Sequence, residues 1–261
     1  MGANDDTIKE MVFESLKTES EDFVQTETYT KIEFVEKELP EGAMPIHEWV
    51  SSPELANVAD LIEPVIKYLV DRGFNPMDSN FYWTPVPGYL DRVIIPFKYE
   101  GKIVGNTARK VVKGTPKYIS EQQPNFVFNF NTQDEKQKYL LVTEGPFDAL
   151  SVNGVGLLHN EISDQQARII NSLGVEVIVI PDQDKAGLNL FDRVAELDWS
   201  IASPNWDADV KDPADAVQKY GKLFVIVDAI KTAEKGAIRI NMAKKRLEHK
   251  LERQEDAKEN P

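Results

Sequence analysis

Between residues 53 and 72 apolar side chains recur every three or four positions (Leu55, Val58, Leu61, Ile62, Val65, Ile66, Leu69), the period of one helix face. Pro64 falls within the run, so the pattern predicts a helix or a helix pair, with the second member starting at Pro64 and ending at Arg72-Gly73. The period then changes. Two runs rich in β-branched residues, Arg92 to Tyr99 and Lys102 to Ala108, flank Glu100-Gly101 and predict a hairpin with a glycine turn; Phe126 to Phe130 predicts one more strand. Residues 132–138 are polar and read as a connector. Beyond them strands are predicted at 139–143, 155–158, 175–180 and near 199–202, with helices at 146–153, 163–173 and 185–197, and a further segment at Pro213–Tyr220. Strand and helix in turn imply a parallel sheet with helices on both faces, an α/β fold preceded by a small α+β unit on an antiparallel sheet.

The two ends of the chain lack such patterns. Residues 1–45 are acidic, low in aliphatic residues and without a sustained period. They predict a mobile arm with a short helix around 7–17 and an extended piece from Tyr29 to Val35. Residues 231–261 are densely charged with few apolar positions, which predicts an exposed or docking helix that frays at its end. The expected divisions are therefore 1–45, 46–136, 137–230 and 231–261.

Composition narrows the chemistry. The chain has 261 residues and no cysteine, which removes disulfides, thiol nucleophiles and cysteine-based zinc sites. His47, His159 and His249 are too scattered to share a metal, so no zinc is expected. No apolar run approaches a membrane span and no signal-peptide pattern is seen, which predicts a cytoplasmic protein with no membrane partner. The net charge of −14 argues at first against nucleic acid, but it is unevenly spread. Residues 1–60 hold fifteen acids and four bases, whereas 89–119 hold seven bases and two acids. A basic segment ahead of an acidic one suits gripping phosphates and then acting on them.

The acidic segment is organised. Glu144-Gly145-Pro146-Phe147-Asp148 follows the strand at 139–143, and Asp182-Gln183-Asp184-Lys185-Ala186-Gly187 follows the strand at 175–180. Asp212-Pro213-Ala214-Asp215 forms a third acidic loop. Carboxylates just past strand ends converge beyond the carboxyl edge of a parallel sheet, where such folds bind ligands. Converging carboxylates repel unless a cation neutralises them, and all-oxygen donors suit Mg²⁺ or Mn²⁺. Upstream, Lys117 beside Tyr118 suits a phosphate with a stacked base. Trp83, Trp199 and Trp206 lie in no aromatic–basic alternation and are expected in the core.

Taken together, Thr143 to Leu150, Pro181 to Gly187 and Lys211 to Asp215 resemble the Toprim domain shared by DnaG-type primases, topoisomerases and certain nucleases. Tyr68-x-x-x-Arg72-Gly73-Phe74, Arg92 to Phe97, Gly101 to Gly105, Ala108-Arg109 and Pro116 to Ser120 resemble the basic subdomain that precedes Toprim in bacterial and phage DnaG-type primases. The resemblance spans roughly 65–230 and implies a primase core making short RNA primers on single-stranded DNA from ribonucleoside triphosphates. It implies Glu144, Asp182 and Asp184 as catalytic residues, with Asp148 and Asp212 completing the set around Mg²⁺ or Mn²⁺, and Asp215 as a lesser candidate. Arg109, Lys117, Tyr118 and Arg92 would hold nucleotide or template, and His159 and Asn160 would open near the cleft. Primases of this type begin with a cysteine-rich zinc module, for which residues before 45 leave no room; a separate zinc-binding protein and a replicative helicase are the partners implied. A Toprim nuclease and a non-catalytic replisome adaptor are the rival readings.

Overall fold

Residues 44–121 build an antiparallel sheet in the order β1-β2-β3-β4-β5, with β1 at Met44–Pro45, β2 at Tyr82–Trp83, β3 at Arg92–Tyr99, β4 at Lys102–Lys110 and β5 at Tyr118–Glu121. The protein is seen in a computed structural model that describes residues 33–259. The predicted helix at 7–17 and most of the predicted extended piece at 29–35 therefore lie outside the described residues. From Val35 onward the chain is one compact unit.

The long hairpin forms as its sequence predicts. Tyr99 pairs with Lys102, and Glu100 and Gly101 between them both take positive φ (47° and 81°), the backbone of a two-residue hairpin turn. Short helix α1 (Ile46–Ser51) and helix α2 (Leu55–Asp71) lie between β1 and β2 in the chain. Of the expected helix or helix pair, the structure has the single helix: Pro64 lies inside α2 rather than starting a second helix, and α2 buries Ile62, Val65 and Leu69. Asp60 and Pro64 are both exposed, so the carbonyl that loses its helical donor faces water, and the buried stripe keeps the helix whole. Its end follows the sequence, with Phe74 N–H returning to Leu69 O at 2.9 Å across Gly73.

The second sheet runs β10-β9-β8-β6-β7, with β6 at Tyr139–Thr143, β7 at Val155–Gly156, β8 at Glu176–Val179, β9 at Ser200–Ala202 and β10 at Ala233–Lys235. The first four strands pair in parallel, and β10 closes one edge antiparallel to β9. Helices α3 (Pro146–Val152), α4 (Asp164–Asn171), α5 (Leu190–Glu196), α6 (Pro213–Tyr220), α7 (Lys222–Lys231) and α8 (Ala237–Glu259) complete this part. Two apolar cores lie against the sheet. One gathers Leu140, Val142, Val177, Val179 and Phe191, the other Leu141, Ile178, Ile180 and Trp206. Alternation along β6 and β8 thus supplies both faces, as a sheet buried on both sides requires.

Two expectations differ from the structure. Phe126 to Phe130 is not a strand: Asn125 and Asn129 take positive φ (62° and 63°) and break the extended run, leaving a single bridge from Phe128 to Gly156. Its apolar side chains instead join the halves, Phe97 stacking on Phe126 and meeting Phe128 edge-on. Residues 231–261, expected as an exposed or docking helix, do form helix α8, which docks Ile240 and Ala243 into the first core, but their first residues also supply the edge strand β10, which was not expected. Sparse apolar positions were enough because only one narrow stripe of α8 is covered. Trp83, Trp199 and Trp206 are buried, as expected.

Candidate active site

Strand β6 ends at Thr143 and delivers Glu144 to the carboxyl edge of the sheet, while β8 and Ile180-Pro181 deliver Asp182 beside it. The two loops are joined directly, Asp182 N–H donating to Glu144 Oε1 at 3.0 Å. Asp148, buried in the first turn of α3, accepts from Ala214 N–H at 3.0 Å in the first turn of α6. Asp212 caps α6 by accepting from Asp215 N–H at 2.7 Å. Each acidic loop is thus fixed by a backbone donor pointing at a carboxylate. Gly187 makes the middle loop possible, because a Cβ there would stand 2.1 Å from the Asp182 carbonyl oxygen.

Glu144, Asp148, Asp182 and Asp212 line one cleft of about 390 Å³. Burial and mutual repulsion raise the proton affinity of Glu144, Asp148 and Asp182. Asp182 is pushed up to about 9, by burial first and then by Asp148, Glu144, Asp212 and Asp184. Asp148 is pushed well above the ordinary carboxylate range by burial and Asp212. Glu144 is raised by burial, with the Asp182 N–H opposing.

The opposite wall is cationic. Arg72, at the end of α2, reaches Asp215 at 3.2 Å and Asp212 at 3.6 Å. Burial works against its charge, but Tyr68 and the two aspartates outweigh it. Arg109 on β4 lies 4.7 Å over the Tyr118 ring and bonds the Tyr118 hydroxyl. Lys117 is lowered by desolvation and by Arg109. His159 and Asn160 line the same cleft, His159 touching Gln122. Leu158 before them holds a left-handed φ of 64°, which turns the loop toward the cleft.

Two sequence candidates are placed elsewhere. Asp184 is exposed, and its Oδ1 accepts from Ala186 N–H and Gly187 N–H at 2.8 and 3.0 Å, so it shapes the loop from outside the cleft lining. Arg92 is 2% exposed and donates to the carbonyls of Gly88, Ala108, Pro116 and Lys117, so its guanidinium fixes the Lys117 segment rather than facing a ligand. Replacing it with leucine would take a donor from each of those carbonyls and is expected to cost about 3 kcal/mol in denaturant unfolding; a loss below about 1 kcal/mol would contradict this role. Arg72 is a cleft residue that residue-type reasoning passed over, and Tyr68 supports it by accepting from its guanidinium at 3.3 Å. Their signal was a tyrosine and an arginine four apart at a helix end, on one face.

A divalent cation fits this site by donor chemistry. The carboxylates are hard oxygen donors, and Asp182 Oδ1 is buried with no hydrogen-bond partner. Among the described residues, however, no three acidic or histidine groups converge into a ready-made metal cage. Repulsion among uncompensated carboxylates favours such separation.

No protein-family model matches the chain. A DNA primase of Halalkalibacterium halodurans is 28% identical over 152 residues, which take in 51% of this chain and 25% of the relative. The chain thus matches about a quarter of that protein's length. The solved structure of the DnaG catalytic core superposes with a TM-score of 0.51 at 18% identity, covering 72% of this chain and 76% of the other. The chain has the fold of the DnaG catalytic core. A DnaG primase catalytic domain bound to single-stranded DNA gives a TM-score of 0.48 at 17% identity, over 70% of this chain and 63% of that one. Seen on the DnaG-type core, the carboxylate cleft lies at the carboxyl edge of the parallel sheet, and the antiparallel unit supplies its basic wall. Among the described residues of this core no helix is long and apolar enough to cross a membrane.

Proposed function

We propose that the chain is the nucleotidyl-transfer centre of a DNA primase, joining ribonucleotides into short primers on single-stranded DNA with Mg²⁺ or Mn²⁺. The observation that carries this reading is the pairing of walls across one cleft. Carboxylates with an unpartnered Asp182 Oδ1 face Arg72 and Arg109, whose buried Nε groups are also unpartnered. Cationic side chains opposite crowded carboxylates suit a triphosphate and the cations that accompany it.

In the proposed step a ribose 3′-hydroxyl oxygen bonds to the α-phosphorus of the incoming nucleotide as the bond to pyrophosphate breaks. Glu144, with raised proton affinity, takes the hydroxyl proton. Asp182, Asp148 and Asp212 would hold the cation, which neutralises charge on the phosphates when bound. Asp184 would tune the field from outside the cleft lining. Arg109 and Lys117 would grip phosphates, and Tyr118, 40% exposed, offers a face on which a base stacks. Arg92 would act through the Lys117 segment. Such a centre belongs beside replicating DNA in the cytoplasm, the host's if the gene is a phage's, with a replicative helicase and a separate zinc-binding protein as partners.

One incubation tests the reading: single-stranded DNA, labelled ribonucleotides and Mg²⁺ or Mn²⁺. Labelled oligoribonucleotides are the expected product. Degraded DNA would replace the proposal with a nuclease, and DNA binding without either product would replace it with an adaptor.

A further inference from the structure

Behind the acidic loop lies a second cavity of about 740 Å³, between that loop and helix α8. Pro181 and Gln183 line it, while Asp182 between them lines the carboxylate cleft on the other side. Its wall from α8 carries Arg246, Lys250 and Arg253, spaced at four and three residues on one helix face. Among the described residues none that lines it is acidic, although the chain carries a net charge of −14.

The cations differ in how far they are neutralised. Arg246 is paired with Glu234. Lys250 donates only to neutral acceptors, Gln183 Oε1 at 2.5 Å and Trp206 O at 2.6 Å, and desolvation lowers its pKa. Arg253 is exposed and has no ion pair among the described residues. Phe191, Pro204 and Leu247 give the cavity apolar walls, and Asn205 and Gln254 add amides. The volume lies in the range of small-ligand sites, which combine apolar walls with a few polar groups.

We infer that this cavity binds a nucleoside phosphate. Lys250 and Arg253 hold the phosphates, the apolar walls cover the nucleoside, and the amides meet the edge of the base. Cationic side chains neutralise the ligand here, so binding needs no divalent ion. That separates this site from the carboxylate cleft, and the inference does not depend on the polymerase reading.

The test is equilibrium dialysis of the full chain against labelled ADP in EDTA. Saturable binding is expected. Arg253→Gln should weaken it about tenfold, and Lys250→Gln with Arg253→Gln should weaken it further. Lys117→Gln, in the other cleft, should leave it unchanged. Arg253 is exposed, so its loss tests the site without disturbing the Lys250–Gln183 contact. Absence of binding in EDTA would overturn the inference, as would binding lost in Lys117→Gln but kept in Arg253→Gln. Competition by tripolyphosphate equal to that by ADP would overturn the nucleoside assignment.

Discussion

Replacing Glu144 by glutamine is expected to reduce oligoribonucleotide synthesis by about 10²–10⁴-fold while leaving the fold intact. Glutamine keeps an oxygen at the position that accepts the Asp182 N–H, so the joint between the two loops survives. It loses the ability to take a proton and one negative charge of the cleft. Product yield and thermal unfolding should be measured on the same preparation. Synthesis within about threefold of wild type would remove Glu144 from the chemistry; lost synthesis with a lowered unfolding temperature would make it structural instead.

Asp182→Asn is expected to abolish synthesis and, at the same time, to stabilise the cation-free protein. The Asp182 carboxyl is pushed up to about 9 in the fold, against an ordinary value of 3.8. The folded state therefore holds its proton more tightly than the unfolded state, and stability falls as pH rises from about 4 to about 9. Asparagine has no such penalty. The gain over wild type should be near zero at pH 4 and largest near pH 9, amounting to roughly 2–8 °C in unfolding temperature. Mg²⁺ should narrow it by stabilising wild type through binding. A variant less stable than wild type at pH 8 without Mg²⁺ would show that Asp182 is a structural anchor, not a strained ligand.

The elements visible in the sequence were those whose cause is local. Short apolar runs at Tyr139 to Thr143 and Val175 to Ile180 and a glycine turn at Glu100-Gly101 each act within a few residues, and the structure has them there. The carboxylates Glu144 and Asp182 were legible because strand ends deliver them to one edge, where Asp148 and Asp212 join them from the starts of α3 and α6. What the sequence hid depends on distant partners. Arg92 looks like any basic residue until four carbonyls from three segments close around it. Arg72 enters the cleft only because α2 ends against the loop of Asp212 and Asp215. Asp184 had the right spacing, but the N–H groups of Ala186 and Gly187 claim one of its oxygens. Strand β10 is three residues long, and its pairing with β9 fixes it rather than its own pattern.

The elementary step of the proposed reaction is the most direct measurement. Two labelled ribonucleoside triphosphates and a short single-stranded DNA template should yield a dinucleotide and one pyrophosphate with Mn²⁺, and none in EDTA. Asp182→Asn, with its fold verified, should give no dinucleotide at any Mn²⁺ concentration. Dinucleotide formed by Asp182→Asn at the wild-type rate, or by wild type in EDTA, would contradict the account.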